Sequence, residues 1–429
     1  MDRKEYLAAF DAVKADFERS VSSFGLPFEK EESCPRFVRD ATCCEYRENC
    51  GASLRNGWIS SACKACRTGE RTATFFVSLK CTKNCYFCFN PNQEDYEYYR
   101  THTRDIAAEL RQAHASGAVF EHLAITGGEP CLHKPEVLAF LHCAGELYPG
   151  VHTRIYTSGD FLDDAFLDEL HDAGLSEIRF SVKPQETDGS QEELFERIAA
   201  AVSRIDDVVV EMPVIPGTEA EMEALMMRLD ALGVRGMNLL EFCFPLCNEQ
   251  AFLKRGFELR RNPYNVLYNY WYAGGLPVAG SEAGCLHLLE FAQRSGFSMG
   301  VHYCSLDNKN SGQVFQQNKA FSCSDALRNR YPWLSFDERD YFLKCAKAFG
   351  GDVPVVLAAI ERLKGASALD AVRVDEAVPC VAFPLEWVDA VCAAAPDAKL
   401  AVCLHVLEPD EAAPRFTLHA REVHAEPID

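Results

Sequence analysis

Three cysteines, Cys81, Cys85 and Cys88, stand in a C-x3-C-x2-C arrangement directly after the apolar run Thr74–Leu79. That spacing puts three thiols on one tight loop at the end of an expected strand. Three thiolates so placed suit three irons of a [4Fe–4S] cube, which prefers sulfur ligands. The fourth iron then has no protein ligand from this loop and is open to a small molecule. A structural zinc knuckle wants a fourth Cys or His at a short fixed distance. None follows in the loop.

Cysteine usage elsewhere supports ligation. The chain has 429 residues and 20 cysteines, and Cys34, Cys43, Cys44, Cys50, Cys63, Cys66, Cys81, Cys85 and Cys88 all fall in the first 88 residues. A chain of this size does not need disulfides for its core. The start, Met1-Asp2-Arg3-Lys4-Glu5-Tyr6, leads into no apolar export segment. The expectation is a cytoplasmic protein whose thiols stay reduced. No run of 18 apolar residues is present, so no membrane span is expected. Lys and Arg number 43 against 64 Asp and Glu, which leaves a net charge of −21. An acidic surface repels phosphate backbones, so nucleic acid and anionic membranes are disfavoured as partners. The scattered Cys143, Cys345, Cys380, Cys392 and Cys403 read as buried core thiols.

Residues 1 to about 24 carry Leu7, Phe10, Val13 and Phe17 at helical spacing and are expected to form one amphipathic helix. Residues 25–70 have little periodicity, as in a segment organised by ligation. From Thr74 onward short apolar runs alternate with helical stretches. The runs are Thr74–Leu79, His122–Thr126, Val151–Thr157, Glu177–Val182, Val208–Val214 and Asn238–Phe242, with Ser298–Tyr303 as a seventh. Alternation of this kind implies right-handed crossovers and a parallel sheet. Six units make an α/β partial barrel, a (β/α)6 parallel sheet with its chemistry at the strands' C-terminal ends. The tail reads as a small α+β appendage, with helices at Val355–Leu363 and Leu385–Ala393 and strands at Lys399–Leu407 and Arg415–Arg421. The expected domains are 1–70, a helix with a Cys-rich segment; 71–325, the partial barrel; and 326–429, the appendage.

The second run ends in Thr126-Gly127-Gly128-Glu129-Pro130. With Cys81, Cys85 and Cys88 and the strand–helix order, this motif makes about residues 71–305 resemble the radical SAM superfamily. The resemblance implies a [4Fe–4S] cluster whose open iron binds the amino and carboxylate groups of S-adenosylmethionine. Reduction by flavodoxin or ferredoxin would then yield a 5′-deoxyadenosyl radical that takes a hydrogen atom from a substrate. It also implies that Thr126, Gly127, Gly128 and Glu129 contact the methionyl amino group and that Phe87 lies against the adenine. Thr157 and Ser158, and Ser181 and Lys183, end the third and fourth strands, which supply ribose and carboxylate contacts in the family. Ile215, in Val214-Ile215-Pro216-Gly217, resembles the stretch that backs the adenine. From the residues alone, Gly127 and Gly128 let a backbone approach a ligand closely.

Upstream, Cys63-Lys-Ala-Cys66 joins Cys50, Cys44, Cys43 and Cys34. Such a set suits a second Fe–S cluster or a zinc ion, against a reading as inert structural thiols. It is expected near the Cys81 loop. Cys304, in Val301-His302-Tyr303-Cys304-Ser305, has three readings: ligand of an auxiliary cluster, hydrogen-atom donor, or packing residue. Leu306–Gln317 is polar and suits either a substrate pocket or a solvated face. Lys254–Tyr272 interleaves cations with aromatics and reads as a helix over the barrel or a ligand-facing surface. The leading substrate class is a peptide or protein, which includes glycyl-radical-enzyme activation. A small metabolite or cofactor precursor is the second, and a non-catalytic electron-transfer or redox-sensing role the third. No D-x-H-x-x-G cobalamin motif is present.

Overall fold

The computed structural model describes residues 1–30, 44–182, 190–268, 275–375, 377–410 and 417–428. Backbone packing divides the chain into two units, one of residues 26–263 and 271–309 and the other of 1–25, 264–270 and 310–429. These limits differ from the expected 1–70, 71–325 and 326–429. The N-terminal helix goes with the C-terminal residues, and residues 44–70 go with the large sheet.

The larger unit is built on nine strands. In chain order they are β1 (Tyr46–Glu48), β2 (Ser53–Asn56), β3 (Thr72–Phe76), β4 (His122–Thr126), β5 (His152–Thr157), β6 (Glu177–Phe180), β7 (Asp207–Val214) and β8 (Gly236–Glu241). The short pair β9 (Cys243–Phe244) and β10 (Leu276–Pro277) stands apart, and β11 (Gly300–Cys304) completes the sheet. The order across the sheet is β1-β2-β11-β8-β7-β6-β5-β4-β3. From β3 to β8 and on to β11 each strand pairs in parallel with the next. Every crossover contains a helix: Ile106–Ala115, Lys134–Leu147, Asp164–Asp172, Ser190–Val202, Glu219–Ala231 and Ser281–Ser295. The expected strands are present to within a few residues, including the seventh. The sheet is open, with β1 and β3 as its edges.

Alternation sorts the two faces of the sheet. Ile155, Ile178, Val210, Leu239 and Val301 share one apolar core with the crossover-helix residues Phe140, Phe166, Ile198, Met226 and Leu288. The helix-free face instead carries Arg154, Tyr156, Arg179, Glu211, Asn238 and His302, joined by hydrogen bonds. Such a polar face is what a site needs and what a core avoids.

Residues 44–70 are not held by ligation alone. β1 and β2 form an antiparallel hairpin, and β2 pairs antiparallel with β11. This places them on the sheet edge opposite β3, the strand that leads into the Cys81 loop. The helix Ser61–Cys66 follows, capped by the Ser60 hydroxyl. It crosses the helix-free face: Ser60 donates to Glu177 at 2.5 Å, and the Cys63 sulfur meets Arg179 and Asn238. Between Lys254 and Tyr268 the described residues form turns and isolated bridges at Leu259 rather than the expected helix. Leu306–Cys323 is a helix.

The smaller unit has a mixed α+β build. Strands β12 (Ser335–Phe336), β13 (Leu343–Phe349), β14 (Arg373–Asp375), β15 (Cys380–Phe383), β16 (Leu400–Pro409) and β17 (Leu418–Pro427) run in the order β14-β15-β13-β16-β17, with β12 beside β13. The helix Arg3–Ser22 starts at a capping box between Asp2 and Glu5. It lays Tyr6, Leu7 and Phe10 on this sheet's core, with Tyr6 4.6 Å from Phe349 between ring centres. No helix of the described residues is long and apolar enough to cross a membrane.

Candidate functional site

The chain leaves β3, passes Val77–Lys80 and enters the loop that carries Cys81, Cys85 and Cys88. The end of β4 grips this passage. The Gly128 amide donates to the Ser78 carbonyl at 3.0 Å, and the Glu129 amide to the Lys80 carbonyl at 2.8 Å. The Asn90 amide group closes the far side of the loop by donating to the Gly127 carbonyl at 2.7 Å. The two glycines are needed for this grip. A Cβ on Gly127 would lie 2.6 Å from Phe76 Cβ, and one on Gly128 2.5 Å from the Lys80 carbonyl carbon. Gly127 also has φ +103°, which side chains rarely adopt. Here the close approach the sequence reserves for a ligand is made by the protein's own cysteine loop.

Glu129 is 2% exposed and fully engaged. Its carboxylate accepts from the Thr157 hydroxyl, the Ser158 amide and the Ser158 hydroxyl, each at 2.7 Å, and from the Cys131 amide at 3.1 Å. Thr157 in turn accepts from the Gly159 amide at 2.9 Å. Glu129, Thr157 and Ser158 thus tie the end of β4 to the end of β5, with the cysteine loop on the other side of the same glycines. Ser181 is exposed just past β6 and Ile215 is buried just past β7. Lys183 lies outside the described residues.

Cys81 is exposed, Cys85 and Cys88 are half-buried, and none is in a disulfide. Burial raises the Cys88 thiol above its ordinary range, and the neighbouring Cys85, Cys81 and Cys247 raise it further. A bound cation would reverse that effect. The donor set is therefore three thiol sulfurs within electrostatic reach on one loop. They fit a sulfur-loving cluster. Phe87 packs in an aromatic group with Tyr86 at 5.0 Å and Phe242 at 5.8 Å. The segment after β9 braces the loop: Asn248 donates to the Tyr86 carbonyl at 3.2 Å, and the Cys247 sulfur lies 4.0 Å from the Cys88 carbonyl. Cys247 stands four positions after Cys243 in the sequence, and only the fold brings it to the Cys81 loop.

A second group of thiols meets on the helix-free face. The Cys63 sulfur accepts from Arg179 at 3.3 Å and Asn238 at 3.4 Å, and the Cys304 sulfur from Asn308 at 3.2 Å. Burial pushes the Cys304 thiol up to about 12, opposed by Lys309 and Asn308, and it also feels Cys66 and Cys63. Burial opposes the Lys309 charge, but the nearby Cys243, Cys304, Glu211 and Cys66 outweigh it and raise its pKa. Cys304 thus joins Cys63 and Cys66. Cys44 instead sits in the apolar core beside Leu54, and Cys50 is exposed in the turn Asn49–Gly51. Cys34 and Cys43 lie outside the described residues. Lys309 gave no signal as an isolated residue, and Cys243 has only Cys247 near it in the sequence. His152, Glu177 and Asp207 bring donor atoms within 4.8 Å of one another at the strand starts. Glu177 is already held there by Ser60, Arg179 and His152.

Residues 76–229 match the Radical SAM superfamily. A protein of Methanocaldococcus jannaschii, named as a glycyl-radical enzyme activating enzyme, is 26% identical over 252 residues, covering 57% of this chain and 63% of that one. A PqqA peptide cyclase of Methylocella silvestris is 28% identical over 172 residues, 38% of this chain and 45% of the relative. The crystal structure of Streptococcus suis SuiB bound to S-adenosylmethionine is 13% identical, with a TM-score of 0.42 over 65% of this chain and 57% of that one. The chain thus spans less than two thirds of the length of the relatives it matches.

Proposed function

We propose that this chain, a radical SAM enzyme by its domain at residues 76–229, abstracts a hydrogen atom from a peptide or protein substrate. Cys81, Cys85 and Cys88 would hold the [4Fe–4S] cluster. When bound, the cluster and S-adenosylmethionine supply a 5′-deoxyadenosyl radical upon reduction, with flavodoxin or ferredoxin as the reductant class.

The observation that carries this reading is the join between the cysteine loop and the end of β4. Two backbone hydrogen bonds and two glycines fix the loop against the strand end. Glu129 then fixes that strand end to Thr157 and Ser158 of the next. The chain's residues thereby pre-set three strand ends around one point, so little reorganisation is needed when ligands arrive. Thr126 and the carbonyls beside Gly127 and Gly128 would meet the methionyl amino group, with Phe87 and Ile215 beside the adenine and Ser181 and Lys183 toward the ribose and carboxylate. The aromatic group of half-buried Tyr86 and Phe87 with buried Phe242 would limit water at this end. A relative named as a peptide cyclase supports a polypeptide substrate.

Anaerobic reconstitution followed by dithionite and S-adenosylmethionine tests the reading. The wild-type protein should release 5′-deoxyadenosine, and C81A/C85A/C88A should not. Equal release by both, or none from a fully reconstituted wild type, would refute it.

A further inference from the structure

We propose that Cys63, Cys66 and Cys304 hold a second iron–sulfur cluster on the helix-free face of the sheet. It shares no ligand with the Cys81 loop and stands whether or not the reading of that loop is right.

The three thiols come from separate elements that the fold brings together. Cys63 and Cys66 lie three positions apart on the helix Ser61–Cys66, so they share a face about one turn apart. The Cys63 sulfur is 3.4 Å from the Asn238 side chain, whose oxygen lies 3.2 Å from His302 Nδ1. Asn238 and His302 are register partners on β8 and β11. Cys304 is the next residue along β11 on that same face, about 7 Å on toward the strand's end. The thiols therefore span the inner surface of β8 and β11, with Cys66 as the open member.

The surroundings suit an anionic sulfur cluster rather than a thiol pocket. Three N–H donors already aim at two of the sulfurs: Arg179 and Asn238 at Cys63, and Asn308 at Cys304. Hydrogen bonds to ligating sulfur are among the protein's means of tuning such clusters. Neutral thiols are weak acceptors and give a buried guanidinium little in return. Arg179 is only 4% exposed and spends one arm of its fork on Cys63. A cluster on three thiolates would place an anion against that arm of the Arg179 guanidinium. Among the described residues no three cysteine sulfurs lie within 4.8 Å of one another. Tetrahedral zinc at about 2.3 Å from each sulfur needs thiolates closer than that. A polynuclear cluster spreads its thiolates wider.

The test uses the full chain reconstituted anaerobically with iron and sulfide. C81A/C85A/C88A should retain about two to four irons with matching acid-labile sulfide and a Mössbauer signature of a cluster. Adding C63S/C66S/C304S should bring iron to zero, while C143S, at a buried core thiol, should not. Asn308→Ala in the wild type should shift the reduction potential of one of two clusters only. Wild-type iron equal to a single cube, zinc in place of iron, or iron retained by the six-cysteine variant would each overturn the proposal. If the multiple variants fail to fold by circular dichroism, the wild-type iron count and the Asn308→Ala potential decide alone.

Discussion

Replacing Gly128 by alanine should release the cysteine loop. The added Cβ would sit 2.5 Å from the Lys80 carbonyl carbon and 2.7 Å from that of Leu79. Ordinary contact begins near 3.4 Å, so the Lys80 carbon must retreat by about 0.9 Å. It is backbone on both sides, and no side-chain rotation relieves it. The Glu129 amide to Lys80 carbonyl bond, now 2.8 Å, would then pass out of hydrogen-bond range. The Gly128 to Ser78 bond would weaken with it. Two backbone bonds at about 1 kcal/mol each, with about 1–3 kcal/mol of overpacking, give a loss of roughly 3–5 kcal/mol. Cys81 follows Lys80 directly, so the first thiol would move with that carbonyl and cluster occupancy should fall. Thermal unfolding of the apo protein and iron per chain after reconstitution measure the two effects. Gly145→Ala is the control. It lies on the exposed side of the helix Lys134–Leu147 with nothing within 4 Å of an added Cβ. It should raise stability by about 0.5–1 kcal/mol and leave iron unchanged. Full iron and an unchanged melting temperature in Gly128→Ala would refute the view that two backbones meet there.

Glu129→Ala should keep the iron but strand the Thr157 and Ser158 donors. Cofactor affinity should fall roughly ten-fold or more, as for loss of a charge-assisted hydrogen bond of about 1.5–3 kcal/mol. Calorimetric titration with S-adenosylmethionine would read it, and an unaltered affinity would show that the β4–β5 tie does not shape the site. In the smaller unit, burial raises the Glu422 carboxyl, but the His405 hydrogen bond and the Lys347 charge prevail and hold it at about 2. Its contribution is present above the ordinary value of 4.5 and is lost as pH falls from there toward 2. Denaturant unfolding of this unit should lose about 3 kcal/mol across that window in the wild type, and less in Glu422→Gln. Equal pH slopes for the two proteins would refute the pairing.

The parallel sheet was legible because each strand is apolar enough to be buried and each crossover helix carries its own period. β4 was read to the residue, and β5, β7 and β8 to within two. The Cys-rich segment was misjudged for a physical reason. β2 is only Ser53-Leu54-Arg55-Asn56 and is buried on both faces, so it shows no alternation to detect. Its place beside β11 depends on pairing with residues about 250 positions away. The same limit applies to the N-terminal helix. Its period was plain in Leu7, Phe10 and Phe17, but the sheet it packs against is formed by residues beyond 330.

For the proposed site, the motifs were legible and the contacts between them were not. Cys81, Cys85 and Cys88 announce themselves because three thiols on one loop are local. Gly127 and Gly128 were also visible, yet a glycine states only that no Cβ fits. Which atom forbids the Cβ is a tertiary fact, and here it is the Lys80 carbonyl and Phe76. Glu129 follows the same logic. As a carboxylate near an expected cationic ligand it invites direct contact, but four donors from Cys131, Thr157 and Ser158 already converge on it. On this geometry it would act on a ligand through Thr157 and Ser158, as a positioning residue. That predicts a distinction direct contact would not. Thr157→Val removes the hydroxyl donor to Glu129 and leaves the carboxylate in place. Titration with S-adenosylmethionine should then show a clear loss of affinity if Glu129 positions β5, and little change if the carboxylate's charge itself meets the cofactor.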